Sequence, residues 1–416
     1  MNGRPHNLMV VQGGGPTPVF NASLYGVIDE ARRGGADRVL GARRGVEGLI
    51  AGDVVDLTSV SQPQLDLLKR SPGASLGSTR HKLLERDLEQ IVDTLRGFDV
   101  DALVLIGGNG SLRGAELIAA AAQRSGYELQ VVGVPKTVDN DIQVTDRCPG
   151  FASAARYVAQ AVRDLGMDVR TLPQPVSIFE TMGRGAGWIA AASVLARLDE
   201  THAPHLVYLP ERPFELEEFL GDVDRTVARH GWAVAVVTEG IRNRAGEPVF
   251  ETRDASQRDA LGRAVPGGVS AHLAGEVTRG LKIRCRWEQP GLCARASMLH
   301  VSQQDLPDAE AVGRAGARAA MSREIAGAPM VSLRPLGGAG GHSPEEPRTE
   351  MVPLSKVAGQ CRHVPAEWLG SSPEAPASKE FVEYVRPLVG ELVEYAVPLK
   401  DSAAAAAMAR EEGTVR

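Results

Sequence analysis

The chain has few cysteines, and their spacing argues against two kinds of architecture. Cys148, Cys285, Cys293 and Cys361 are the four cysteines among 416 residues, and no two form a C-x-x-C pair. Thiols scattered in this way indicate neither a disulfide framework nor a cysteine metal cluster. They are typical of a reducing compartment, so we expect a cytoplasmic protein.

Long apolar runs and an excess of positive charge are also missing. No apolar segment approaches the roughly 20 residues that span a bilayer, and residues 1–7 are polar, so we expect neither membrane association nor a signal peptide. The net charge of −6 argues against general nucleic-acid binding, although it is compatible with a local basic pocket for phosphate. The length is sufficient for two domains, each with its own core.

Residues 134–141, Val-Pro-Lys-Thr-Val-Asp-Asn-Asp, are the stretch richest in chemical groups. Pro135 ends an apolar strand, and the polar loop that follows lies where open α/β sheets bind their ligands. Asp139 and Asp141 are two residues apart, so an extended loop would direct both carboxylates to the same side. One carboxylate could accept a proton while the other holds a hydrated metal ion. Taken alone, the stretch is equally compatible with a surface turn.

Two glycine-rich loops follow apolar strands elsewhere in the chain. Residues 13–18 follow the strand predicted at 8–11, and residues 107–111 follow the strand predicted at 102–106. In such loops backbone N–H groups can approach a phosphate closely. A dinucleotide-binding domain is a competing interpretation of the first loop, but Pro18 stands where that fingerprint needs its third glycine.

The alternation of strand, loop and helix predicts the fold class. We expect two doubly wound, Rossmann-like α/β domains with the active site in the cleft between them. Residues 1–150 would form the domain on the phosphoryl-donor side and 151–293 the domain on the acceptor side. Residues 294–400 would complete both domains, and 401–416 would be a tail.

The three stretches at 13–18, 107–111 and 134–141 occur in the order found in a known family. Three more motifs support this resemblance. They are Met-Gly-Arg-Gly-Ala-Gly-Trp at 182–188, Thr-Glu-Gly at 238–240, and Arg295. From about residue 8 to about residue 395, the chain resembles the 6-phosphofructokinase family, which has ATP-dependent and pyrophosphate-dependent branches. The resemblance implies a glycolytic kinase that transfers a phosphoryl group from ATP or pyrophosphate to a sugar phosphate hydroxyl, nominally that of fructose 6-phosphate. It also implies Mg²⁺ as cofactor and a homodimer or homotetramer.

The resemblance also implies roles for individual residues. Asp139 would be the general base, with Thr137, Lys136 and Arg184 as the other catalytic residues. Donor-binding positions would be Gly14, Gly15, Arg80, Gly108, Asn109, Gly110 and Ser111. Acceptor-binding positions would be Thr137, Asp139, Met182, Gly183, Arg184, Glu239, Arg286 and Arg295. Asp141 would hold Mg²⁺ through water, together with Asn109. Because Asn109 replaces a family Asp, we expect weaker metal binding.

The identity of the phosphoryl donor stays open, because two positions of the family pattern indicate different donors. Gly110 leaves room for the α-phosphate of a nucleotide, whereas Lys136 is typical of pyrophosphate-dependent members. Residues 12–16 and the Arg-Trp-x-x-Pro-Gly run from Arg286 resemble the pyrophosphate branch most. We therefore expect an enzyme that descends from that branch and can admit ATP.

The identity of the acceptor stays open as well, because three residues expected to contact its phosphate are replaced. Pro175 stands at the place of a basic residue, Leu292 at that of a frequent His, and Ala294 at that of a usual Gln. A specialised kinase of another sugar, sugar phosphate or polyol is therefore an alternative. A sensor of sugar phosphate or nucleotide without catalysis is a third, against which the intact pair Asp139 and Asp141 argues.

Overall fold

The computed structural model describes residues 6–79, 81–173, 175–251, 267–322, 327–337 and 346–395. Its strands are β1 (Asn7–Gln12), β2 (Arg38–Ala42), β3 (Val54–Asp56), β4 (Val100–Gly107), β5 (Gln130–Pro135), β6 (Val176–Thr181), β7 (Leu206–Tyr208), β8 (Ala233–Thr238), β9 (Cys285–Glu288), β10 (Pro329–Leu333) and β11 (Thr349–Pro353). Its helices are α1 (Phe20–Arg33), α2 (Val46–Ala51), α3 (Gln62–Lys69), α4 (Glu85–Gly97), α5 (Asn109–Arg124), α6 (Phe151–Val169), α7 (Trp188–Ala192), α8 (Leu216–His230), α9 (Val269–Leu281), α10 (Asp305–Ser322) and α11 (Lys379–Val389). Within the described ranges, no helix has both the length and the apolar character that crossing a bilayer requires.

The first sheet has seven strands in the order β11-β10-β5-β4-β1-β2-β3. Its central strands pair in parallel, and the edge strands β3 and β11 run antiparallel to their neighbours. Leu8 and Val10 pack with α1 and α10 on one face, whereas Met9 and Val11 pack with α4 and α5 on the other. Both faces are therefore covered, which explains why the central strands are continuously apolar.

The second sheet has four parallel strands in the order β7-β8-β6-β9. Phe179 and Val236 face a core shared with α6, α7 and α11, and Ile178 and Val237 face α8 and α9. The two sheets, each covered on both faces by helices, confirm the predicted doubly wound α/β fold class.

The chain passes between the two sheets more than once. After β9 it returns to the first sheet, where α10 packs on α1 and where β10 and β11 extend the sheet beyond β5. It then goes back to the second core, against which α11 packs. The domain borders at residues 150, 293 and 400 stay predictions, and the predicted tail at 401–416 lies outside the described residues.

Candidate active site

Three adjacent strands of the first sheet bring the predicted donor loops together. The amide N–H of Gly13, after β1, donates to the carbonyl of Ile106 in β4 over 2.9 Å. The amide of Lys136, after β5, donates to the carbonyl of Gly107 over 3.0 Å. Helix α5 begins at Asn109, inside the second glycine-rich loop, and Gly108 caps it. The remaining donor positions of this loop, Gly110 and Ser111, therefore lie in the first helical turn, whose free N–H groups favour an anion.

Two cations meet at Gly15 of the first glycine loop. The ammonium of Lys136 donates to the carbonyl of Gly15 over 2.7 Å and lies 4.6 Å from the centre of the Phe20 ring. Burial, and then the charge of Arg295, lowers the pKa of Lys136 to about 7. A Cβ placed on Gly15 would lie 2.5 Å from Nη1 of Arg295. Arg295, which we predicted at the acceptor, thus lies against the donor loop.

The loop with the two aspartates is bent, so the predicted extended conformation is wrong. Residues 138 and 139 form a bend, and Asn140 has a left-handed φ of 54°. The charge of the Asp141 carboxylate nevertheless acts on the pKa of Asp139. Burial, followed by the charges of Asp141 and Glu239, raises the pKa of Asp139 to about 7. Burial also raises the pKa of Asp141.

Asn109 and Asp141 form the candidate metal site. The Nδ2 group of Asn109 donates to Oδ2 of Asp141 over 3.0 Å. Oδ1 of Asn109 is buried and has no hydrogen-bond partner among the described residues. Within that part of the chain no group of three or more His, Cys, Asp or Glu side chains could enclose a metal ion. The site therefore fits a cation that keeps most of its water, as Mg²⁺ does.

The predicted acceptor residues follow two neighbouring strands of the second sheet. Thr181 of β6 pairs with Thr238 of β8, so the loops that begin at Met182 and Glu239 are adjacent. Nε of Arg184 lies 3.7 Å from Oε1 of Glu239, and burial raises the pKa of Glu239. Nε1 of Trp188, directly after the Met182 loop, donates to the carbonyl of Arg362 over 3.0 Å, and the amide of Arg362 donates to the carbonyl of Asp141 over 2.8 Å. This edge therefore lies next to the loop with the two aspartates.

Gly183 has a backbone conformation that the acceptor loop requires. Its φ is 127°, and a Cβ at this position would lie 2.7 Å from the carbonyl oxygen of Ala186. Met182 is half-buried and packs on the core of the second sheet. The loop thus combines one apolar anchor with a turn that only glycine adopts without strain.

Two predicted site residues are not placed in this cleft. Arg80 lies outside the described residues. Arg286 is exposed on the edge strand β9, where it pairs with Ser177. Since the acceptor loop starts five residues further along β6, Arg286 lies about 16 Å from the loop along the strand direction.

The C-terminal segment contributes residues that the sequence did not reveal. Sγ of Cys361 would lie 3.5 Å from a Cβ placed on Gly185 of the acceptor loop. Burial raises the pKa of the Cys361 thiol to about 11, with smaller contributions from Asp141 and Asp139. More than 170 residues separate Gly185 from Cys361, so no local pattern could have indicated this contact.

Comparison with known proteins agrees with this arrangement. A family model described as phosphofructokinase matches residues 7–301. The pyrophosphate–fructose 6-phosphate 1-phosphotransferase of Xanthomonas campestris pv. campestris is 38% identical over 371 residues, 87% of each chain. A sulfofructose kinase of Alkalicoccus urumqiensis is 35% identical over 315 residues, which is 75% of this chain and 80% of that one. The crystal structure of a pyrophosphate-dependent phosphofructokinase from Marinobacter aquaeolei superposes with a TM-score of 0.81 at 30% identity, covering 94% of each chain.

Proposed function

The chain belongs to the phosphofructokinase family, and from this premise we propose that it transfers a phosphoryl group from pyrophosphate or ATP to the 1-hydroxyl of fructose 6-phosphate. The observation that carries the proposal is the position of Asp139. Its carboxylate lies between the glycine loops of the first sheet and the acceptor loop of the second, and charged groups from both sides act on it. We therefore place the meeting point of the acceptor hydroxyl and the donor phosphate at this carboxylate.

In this reaction Asp139 accepts the proton of the attacking hydroxyl. Its pKa is raised to about 7, so the ionised carboxylate is a stronger base than an exposed aspartate and is still available at neutral pH. The protein has little covalent work to do in phosphoryl transfer, because positioning and charge neutralisation lower most of the barrier. Lys136 and Arg184 place positive charge near the base, and the hydroxyl of Thr137 accepts the amide N–H of Asp139.

The donor phosphates bind at the first turn of α5 and along the glycine loop of residues 13–18. The N–H groups of a helix N-terminus favour negative charge. Lys136 and Arg295 meet at Gly15, so a phosphate on that loop lies beside two cationic side chains. A Cβ at Gly110 would meet no atom within 4 Å, which leaves space for a nucleotide.

Mg²⁺ would be held by Asp141 and by Oδ1 of Asn109, for which the described part of the chain offers no hydrogen-bond partner. A bound Mg²⁺ neutralises phosphate charge as the transferred group moves. With one carboxylate and one amide as protein ligands, the affinity for the free ion should be modest. The protein would work in the cytoplasm, where Mg²⁺ and both donors are available.

A sulfonated fructose is a second candidate acceptor. Pro175, Leu292 and Ala294 cannot make the charged or polar contacts that the family resemblance implies at these positions, and Leu292 is 65% exposed. A sulfonate bears a single negative charge, so it depends less on these lost contacts than a phosphate does. A relative named sulfofructose kinase aligns over three quarters of this chain.

Steady-state kinetics with two donors and three acceptors test the proposal. Pyrophosphate and ATP are each offered with fructose 6-phosphate, sulfofructose and unmodified fructose. We expect turnover of fructose 6-phosphate, with a Michaelis constant well above the low micromolar range because charged hydrogen bonds are missing. A higher kcat/KM for sulfofructose would favour the second candidate. If none of the three acceptors is phosphorylated with either donor, both candidate functions are refuted.

A further inference from the structure

The loop of residues 139–146, called here the aspartate loop, is bound by a segment more than 200 residues later. The amide of Arg362 donates to the carbonyl of Asp141 over 2.8 Å. The guanidinium of Arg362 donates through Nη1 to the carbonyls of Thr145, over 3.0 Å, and Asp146, over 2.6 Å. One residue therefore fixes both ends of the loop that carries the proposed metal ligand.

A second contact fixes the turn between the two aspartates. Asn140 is fully buried in its left-handed conformation, and its Oδ1 accepts the amide of Cys148 over 2.9 Å. Its Nδ2 donates to the hydroxyl of Tyr384 over 3.1 Å, and that hydroxyl donates to the carbonyl of Asp146 over 2.8 Å. The hydroxyl thus bridges the middle and the end of the loop. A left-handed residue other than glycine persists only where its surroundings hold it.

The same residues connect the aspartate loop to the acceptor loop. The guanidinium of Arg362 lies 4.3 Å from the centre of the Trp188 ring, whose Nε1 donates to the carbonyl of Arg362 over 3.0 Å. The ring of Tyr384 lies 5.8 Å from that of Trp188. Trp188 begins α7 directly after the acceptor loop of residues 182–187. The aspartate loop and the acceptor loop therefore both adjoin one cluster of side chains, formed by Arg362, Trp188 and Tyr384.

We infer that Arg362 and Tyr384 are positioning residues that hold the turn at Asn140, so that Asp139 and Asp141 both face the cleft. The inference rests on the function proposed above for the two aspartates. Nothing places Arg362 or Tyr384 at the reacting atoms, so they would act on the rate through the geometry of the loop. Small displacements of a reacting group lower the rate strongly while leaving binding groups elsewhere in place.

Tyr384→Phe is the first test, because it removes the bridging hydroxyl and keeps the ring against Trp188. We expect kcat to fall about 10- to 100-fold, while the Michaelis constants of donor and acceptor change by less than about threefold. Amide hydrogen exchange should rise in residues 139–146 and stay unchanged in the strands of both sheets. Tyr127→Phe is the matched control, since its hydroxyl donates to the carbonyl of Val100 at the opposite end of β4.

Arg362→Lys is the second test and decides the matter if Tyr384→Phe does not fold. It keeps a cation near Trp188 and the backbone bond to Asp141, but it loses the guanidinium bonds to the loop. A kcat equal to that of the wild type in both variants would overturn the inference. A decrease in kcat that is fully accounted for by a smaller fraction of folded protein would overturn it too. Asp139→Asn separates the two proposals: if it is inactive while both positioning variants are normal, the inference fails and the function stands.

Discussion

At the scale of single residues, burial rather than residue type sets the charges in the cleft. Lys136 and Asp139 have ordinary pKa values far apart, yet burial lowers the pKa of the first and raises that of the second, each to about 7. The sequence predicted which residues stand at the end of β5. It could not predict their burial, or that Phe20, Arg295 and Glu239 from distant parts of the chain would act on them.

Asp139→Asn tests the base. The amide keeps the shape of the carboxylate but cannot accept the proton, so we expect kcat to fall by ~10²–10⁴-fold with little change in substrate binding. Steady-state kinetics together with a binding measurement for the acceptor check this. Turnover near that of the wild type would remove Asp139 from the proposed role.

Gly110→Asp tests donor selection. The site has room for the new side chain, since a Cβ there meets nothing within 4 Å, so the fold should tolerate it. The added carboxylate should repel the α-phosphate of ATP, whereas pyrophosphate ends before that point. We expect kcat/KM for ATP to fall far more than kcat/KM for pyrophosphate. Gly110→Asn, similar in size but neutral, separates repulsion from crowding, and equal losses with both donors would speak against Gly110 as selector.

At the scale of elements, the sequence predicted three adjacent strands of the first sheet but missed β10, which pairs with one of them. Apolar runs at residues 8–11, at 102–106 and before Pro135 predicted β1, β4 and β5. Helix α9, the edge strands β3, β9 and β11, and helix α11 were not predicted, because short or partly exposed segments carry weak periodicity. The contacts of the C-terminal segment with the aspartate loop were missed for the same reason, since they depend on how those elements pack.

Gly183→Ala tests the acceptor loop as an element. At a φ of 127° a Cβ is strained and meets the carbonyl of Ala186, which costs about 1–3 kcal/mol or moves the loop. We therefore expect the Michaelis constant of the acceptor to rise about tenfold or more, with that of the donor unchanged. Gly185→Ala is the control in the same loop, because its Cβ would make an ordinary contact with Cys361. Equal effects of the two substitutions would contradict this account.

His205, directly before β7, leads to a prediction about how the free energy of unfolding depends on pH. His205 is buried and accepts the amide of Val234, and burial lowers its pKa to about 3. Between that value and the ordinary 6.5, the unfolded chain binds a proton that the folded protein does not, so the free energy of unfolding decreases as pH falls below 6.5. His205→Asn keeps an acceptor and does not titrate.

Denaturant unfolding of the wild type and His205→Asn at pH 8 and pH 5 checks this prediction. The wild type should lose about 2 kcal/mol more than the variant over this range. The exposed His363, replaced by Asn, serves as control and should leave the loss unchanged. Equal losses in wild type and His205→Asn would show that His205 does not set the acid sensitivity.

At the scale of the whole molecule, we propose from the position of Arg286 that one chain does not complete the acceptor site. It lies near the start of β6 and β9, about 16 Å from the acceptor loop of its own chain. The family resemblance assigns it to the acceptor phosphate. Both statements hold if Arg286 reaches the cleft of a neighbouring copy in a dimer or tetramer.

Mixing two defective variants tests this arrangement. Arg286→Ala and Asp139→Asn should each be weakly active alone, and dissociating and reassembling them together should restore part of the activity. The restored sites would combine Asp139 of one chain with Arg286 of the other. Arg279→Ala, a change at an exposed arginine of α9, should leave activity normal. A fully active monomer in sedimentation would exclude a shared site.

The return of the chain to the first sheet has a consequence for its synthesis. Strand β5 receives its second neighbour, β10, only when residues 329–333 exist, and α1 receives its partner α10 only after residue 322. A ribosome must therefore translate the whole second sheet before the first can close. The aspartate loop bonds to Leu333 and Arg362, so a truncated product should lack these contacts and an ordered aspartate loop. Nascent chains shorter than about 350 residues would expose an apolar helix face and an open strand edge, and would rely on chaperones during this interval.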